Sequence, residues 1–129
     1  DIVQDSFVKL WQKVDKVKVE KSKSYLFTTA YRMMIDVIRR DKKQGNWDEV
    51  QEQSYSHQKQ YTGLSEVLEN ALSKLSKIQR SVVMLRDYEG YDYNEIAEIT
   101  TLSLSQVKVY IFRARKILKE YLVSVEAVL

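Results

Sequence analysis

Residues 89–115 read EGYDYNEIAEITTLSLSQVKVYIFRAR, and two capping signals divide the stretch. Asp92 with Glu95, and Ser103 with Gln106, have the capping-box form, in which the first side chain accepts an orphan backbone N–H and the second reaches back to the cap. They predict a short helix over DYNEIAEI, a tight turn, and a long helix opening at SLSQ and running toward Tyr121. Ile96, small Ala97, Leu102 and Val107 then fall where a helix-turn-helix needs a buried branched residue, a close helix crossing and two further core contacts. At 100° per residue, Leu104, Val107, Ile111, Ala114, Leu118 and Tyr121 share one face of the long helix, the expected core side. Ser105, Val109, Phe112 and Lys116 lie opposite. Val109 and Phe112 are thus expected in water, among Lys108, Arg113 and Arg115. Two readings account for them. They pack on thymine methyls or sugars while Ser105, Gln106, Lys108 and Arg113 reach base edges or phosphates, or a second protein surface covers them.

Working outward, SKIQ (Ser76 to Gln79) is another capping box and predicts a helix running to about Tyr88, with Gly90 at a turn. Leu64, Val67, Leu68, Ala71, Leu72 and Leu75 form the apolar stripe of the helix before it. The segment QGNWDEVQEQSYSHQKQYTG (44 to 63) has no period and the composition of a linker. Ahead of it, Ile2, Val3, Phe7, Leu10, Trp11 and Val14 share a face expected to point inward, leaving Asp1, Gln4 and Asp5 on another. Leu26, Ala30, Met33, Met34, Val37 and Ile38 share a face of a second helix, and KVKVEKSKS (16 to 24) between them reads as a basic loop. With no proline and three glycines, and no strict alternation anywhere, the chain reads as all-α. The expected architecture is two small helical modules joined by a flexible linker, the C-terminal one a four-helix domain.

Charge divides along the same lines. Residues 1–43 carry eleven Lys/Arg against six Asp/Glu, 44–63 one against three, and 64–129 nine against nine. Within the last part, 103–121 holds five cations against Glu120 alone. Two basic patches flanking an acidic middle are the footprint of a polyanion ligand. The absence of cysteine excludes a disulfide framework and a thiolate metal site, and suits the reducing cytosol. No run of 18 apolar residues is present, so no membrane insertion is expected. The chain opens on Asp1, already inside a helical pattern, and is expected to be numbered from within a longer polypeptide.

EGYDYNEIAEITTLSLSQVKVYIFRARKILKEYL resembles region 4 of extracytoplasmic-function (group IV) RNA polymerase sigma factors, the region that reads the −35 element. LENALSKLSKIQRSVVMLRDYEGY is similar to the helices preceding it there. DIVQDSFVKLWQK resembles the region 2 helix that docks on the polymerase, and SYLFTTAYRMMIDVIRRDKK the next helix, which handles the −10 element; the first helices of region 2 are lacking. The resemblance implies a partial region 2 at 1–43, a linker at 44–63 and region 4 at 64–129. It places Asp1, Gln4 and Asp5 against core RNA polymerase. Lys18, Lys21, Lys23, Tyr25, Tyr31 and Arg32 would meet the opened −10 strand, with Arg39 and Arg40 on phosphates; aromatic rings in a positive groove suit unpaired bases. Ser103, Ser105, Gln106, Lys108, Val109, Phe112, Arg113, Arg115 and Lys116 would meet −35 duplex. The chain departs from the family pattern at Arg32 (usually Asn), Thr101 (commonly Gly), and Val109 and Tyr110 (usually more polar), so base preferences do not transfer.

The expected function is therefore that of a sigma factor, which directs core polymerase to specific promoters. An anti-sigma factor is an expected partner beside core polymerase and promoter DNA, and the expected localisation is cytoplasmic. A stand-alone helix-turn-helix regulator of response-regulator output type is the alternative, though it leaves residues 1–43 unexplained. An enzyme is not indicated: the single His57 lies in the linker, and no glycine-rich phosphate loop, HExxH or nucleophile elbow occurs. No cofactor or metal is implied.

Overall fold

The computed structural model describes residues 1–44 and 63–128, and these form six α-helices and no strand. The helices are α1 (Ile2–Gln12), α2 (Ser22–Gln44), α3 (Gly63–Ser73), α4 (Lys77–Val83), α5 (Tyr93–Thr100) and α6 (Leu104–Val128). The linker expected at 44–63, with its His57, lies outside the described residues except at its ends, where Gln44 closes α2 and Gly63 opens α3.

The three capping boxes form as the sequence dictates. Ser76 accepts from the Gln79 N–H at 3.1 Å while the Gln79 side chain accepts from the Ser76 N–H at 3.0 Å. Asp92 with Glu95 and Ser103 with Gln106 repeat the exchange. Past Val83 the α4 helix widens into a π-helical turn, Met84–Tyr88, closed by the Glu89 N–H donating to the Met84 carbonyl at 3.0 Å. Gly90 follows with φ +82°, a conformation that glycine adopts without strain.

The core gathers around the helix-turn-helix. Val82, Ile96, Val107 and Ile111 are fully buried, joined by Leu85 and Ile99. Each such burial contributes roughly 2 kcal/mol relative to exposure. A second cluster, Leu75, Val83 and Ala114, ties α3 and α4 to α6. The expected core face of α6 is thus inward from Val107 through Leu118, while Leu104 at its start is exposed. On α3 the buried positions are Ala71 and, just past its end, Leu75; Leu64 and Leu68 face solvent.

The N-terminal helices depart from expectation. Phe7, Trp11 and Val14 do not face inward: Phe7 is 56% and Trp11 77% exposed, as is most of Val3. Ser6 is the buried residue of α1, its hydroxyl bonded to the Ile2 carbonyl at 2.6 Å and 3.8 Å from the Met33 sulfur. The face of α1 that meets α2 is therefore the one carrying Ser6, and the larger apolar residues lie off it. The basic loop is also shorter than expected. A 3-10 turn, Val19–Lys21, leads directly into α2 at Ser22.

Candidate nucleic-acid interface

Two basic surfaces emerge, one on each half of the chain. The first is a groove of about 980 Å³ between α1 and α2. Lys9, Lys13, Lys16, Lys18, Lys21 and Arg32 line it against the single carboxylate of Asp36. Tyr25 forms part of its wall, beside Thr28 and Thr29. A positive trough with an aromatic face suits a single nucleic-acid strand, the phosphates drawn by the lysines and a base laid on the ring.

Of the residues expected there, Lys18, Lys21, Tyr25 and Arg32 line the groove. Tyr31 does not. It is 7% exposed, its ring turned to the other side of α2, and burial raises its phenol pKa. Lys23 also points away, with its ammonium 2.7 Å from Glu89, and that hydrogen bond raises its pKa. The physical reason is helical: Tyr25 and Arg32 are seven residues apart on one face, whereas Lys23, Phe27 and Tyr31 fall on another. Arg39 and Arg40 are exposed farther along α2 and are not among the groove's lining residues. Lys9 and Lys13 were missed, and Lys16 was counted only as part of the basic loop. Lys13 is the C-cap of α1 and Lys16 lies in the turn past it, so the turn that ends the helix, and not a helical period, brings the three together.

The second surface is the outer face of α6. Val109 is 43% and Phe112 70% exposed, so the apolar pair does stand in water among cations. Ser103, Ser105, Gln106, Lys108, Arg113 and Lys116 are all exposed around it. The serine of the cap is spent locally, since Ser103 Oγ accepts from the Gln106 N–H. Arg115 is held differently, forking onto Asp87 with Nε 3.0 Å and Nη2 2.6 Å from its carboxylate oxygens. That hydrogen bond raises its pKa and fixes α6 against the π-helical turn. Beside it, Tyr93 lies between Arg86, 4.8 Å from its ring centroid, and Lys108, 5.9 Å away. Arg86 also donates to the Tyr91 carbonyl at 3.0 Å. Sequence reasoning missed Arg86 and Tyr93, a ring beside α6 that gathers two cations.

On α1, Asp1 is the N-cap, accepting from the Val3 N–H at 2.9 Å, while Gln4 and Asp5 are exposed. They share the outward surface of the helix with Val3, Phe7 and Trp11.

Described residues whose secondary structure is all helical, with a helix-turn-helix on one half and a basic groove on the other, fit a nucleic-acid-binding protein. Residues 1–44 match the family described as Sigma-70 region 2, and residues 65–118 match Sigma-70, region 4. The RNA polymerase sigma factor YlaC of Bacillus subtilis is 34% identical, over 93% of this chain and 75% of its own length. The sigma factor SigV of the same organism is 32% identical, over 92% and 72%. Among solved structures, the sigma factor RpoE of Bartonella quintana, in complex with the anti-sigma factor NepR, superposes with a TM-score of 0.69 at 27% identity. That likeness covers 95% of this chain and 79% of that one. The chain belongs to the extracytoplasmic-function sigma factors, proteins that direct RNA polymerase to promoters. Among the described residues no helix is long and apolar enough to cross a membrane.

Proposed function

We propose that this sigma factor divides promoter reading between a −10 module at residues 1–43 and a −35 module at 64–129, joined by the connector at 44–63. In the first, Lys9, Lys13, Lys16, Lys18, Lys21 and Arg32 hold the opened strand and Tyr25 stacks on a base; Arg39 and Arg40 meet flanking phosphates. In the second, Ser105, Gln106, Lys108 and Arg113 contact base edges and phosphates, Val109 and Phe112 pack on thymine methyls or sugars, and Lys116 and Arg86 hold backbone. Asp1, Gln4 and Asp5 form the polar edge of the surface that meets core polymerase. On this reading the protein assists polymerase without catalysing a reaction itself and works in the cytoplasm, where polymerase and promoters are. Control by an anti-sigma factor is part of the same reading, supported by the bound partner in the Bartonella quintana relative.

One observation carries the proposal: six cations and a tyrosine converge on a groove within the half that matches region 2. A stand-alone regulator has no use for that groove. The protein is expected to bind core RNA polymerase and support run-off transcription from a subset of genomic promoters. Asp5→Lys should weaken core binding with helicity intact. A protein that binds duplex DNA as a dimer, ignores core polymerase and initiates nothing would overturn the reading.

A further inference from the structure

Arg115 is the cation of α6 that the proposed contacts leave without a task. Its guanidinium forks onto Asp87, Nε 3.0 Å and Nη2 2.6 Å from the two carboxylate oxygens. Each side chain is 47% exposed, so a ligand can reach the pair. Arg115 nevertheless lines the same groove of about 500 Å³ as Lys108, Phe112, Lys116 and Lys119, on the side of α6 where Tyr93 forms part of the wall. The charged residues of that lining are all cations. Asp87 comes from the π-helical turn and brings a carboxylate to the edge of a surface otherwise suited to phosphate.

A two-pronged arginine–carboxylate pair matches geometry as well as charge, which sets it apart from an ordinary exposed ion pair. A phosphate that took Arg115 from Asp87 would gain one contact and leave the carboxylate bare beside its own negative charge. The fork therefore does more than brace α6. It subtracts one cation from the surface and opposes its return. Phosphate contacts carry no sequence information, and each available cation strengthens binding at every position along a duplex. In a correctly placed complex the base contacts fix where the phosphates lie, whereas in a misplaced one the phosphates settle on whichever cations are within reach. A cation withheld beside the reading face weakens the misplaced complex more than the correct one, which is specificity gained by discouraging the wrong partner.

We infer that Asp87 is a specificity-determining positioning residue: by holding Arg115 away from phosphate, it lowers the sequence-independent attraction of the α6 face more than its affinity for the −35 sequence. The inference rests on the proposed reading of −35 duplex by α6, and its test separates the two.

The probes are a duplex enriched by this protein from a random-sequence pool and a scrambled duplex of the same length and base composition. Binding of each is followed by fluorescence anisotropy between about 50 and about 200 mM salt. On the scrambled duplex, Asp87→Asn is expected to steepen the salt slope by about 0.9, so that its gain over the parent widens roughly 3.5-fold as salt falls across that range. On the enriched duplex the gain should be smaller, and the ratio of the two affinities should fall. Arg115→Gln should keep the parent slope, and adding it to Asp87→Asn should cancel the gain. Arg115→Lys keeps the cation but gives up the planar fork, and should steepen the slope in the same direction by less. A brace with no other role would lower the Tm and leave the slopes alone. Unchanged slopes in both Asp87→Asn and Arg115→Lys would overturn the inference. So would a gain that survives in the double variant, since the carboxylate would then act without Arg115, or an equal gain on the two duplexes. A parent that enriches no sequence from the pool would instead sink the −35 reading, with the scrambled-duplex slopes still deciding whether Asp87 withholds Arg115.

Discussion

Thr101 ends α5 with φ 58° and ψ 20°, the sole described non-glycine residue at positive φ. A left-handed backbone costs a residue with a side chain roughly 1–2 kcal/mol, and a β-branched one is the least suited to it. The turn needs that conformation to bring α6 back across α5, so the strain is held by the buried Ile96 and Val107 on either side. Two local bonds offset part of it: Thr101 Oγ1 donates to the Thr100 carbonyl at 2.6 Å, and buried Thr100 donates to the Ile96 carbonyl at 2.7 Å. Thr101→Gly removes the steric term and adds unfolded-state entropy of about 0.4–1 kcal/mol. The expected outcome in thermal unfolding is a Tm unchanged or raised by a few degrees. A clear fall would show that the threonine hydroxyl and its reduced unfolded-state freedom outweigh the strain of the turn.

At the scale of elements, two arginines on α6 look alike in sequence and differ in the structure. Arg113 is exposed, whereas Arg115 forks onto Asp87. Removing a cation that neutralises one phosphate lowers the salt slope of duplex binding by about 0.9. Arg113→Ala is therefore expected to show that loss in a salt titration against −35 duplex, while Arg115→Ala changes the slope little because Asp87 already screens it. Equal slopes for the two variants would place both on phosphate or neither. The same contrast explains what the sequence could and could not tell. The α6 core face was legible because a capped helix of this length repeats its apolar period many times, and the outward Val109 and Phe112 followed from it. The face of α1 was not, because period shows which residues lie together but not which side meets a neighbour, and there the neighbour chose Ser6. Tyr25 and Tyr31 were indistinguishable by composition; only the packing of α2 between a groove and a second module sends one to the groove and the other into the interior. Lys23 and Lys21 divide for the same reason.

For the whole molecule, the consequence is a separation of tasks that can be measured apart. The groove lysines sit on α1 and on the approach to α2, away from the helix-turn-helix, so they can act on strand opening without touching −35 affinity. Lys13 and Lys16 are exposed groove residues. Replacing both with glutamine removes the two proposed strand-phosphate contacts, each worth about 0.7 in the salt slope for single-stranded nucleic acid. The double variant in complex with core polymerase is expected to open promoter DNA less completely, read as weaker permanganate reactivity of −10 thymines, with the deficit growing as salt is raised. Its affinity for an isolated −35 duplex should match the parent, because nothing on α6 has changed. A loss that appears equally in duplex binding would mean that the lysines act through general attraction to DNA. Normal opening at every salt concentration would remove the strand from the groove and leave its six cations without their proposed ligand.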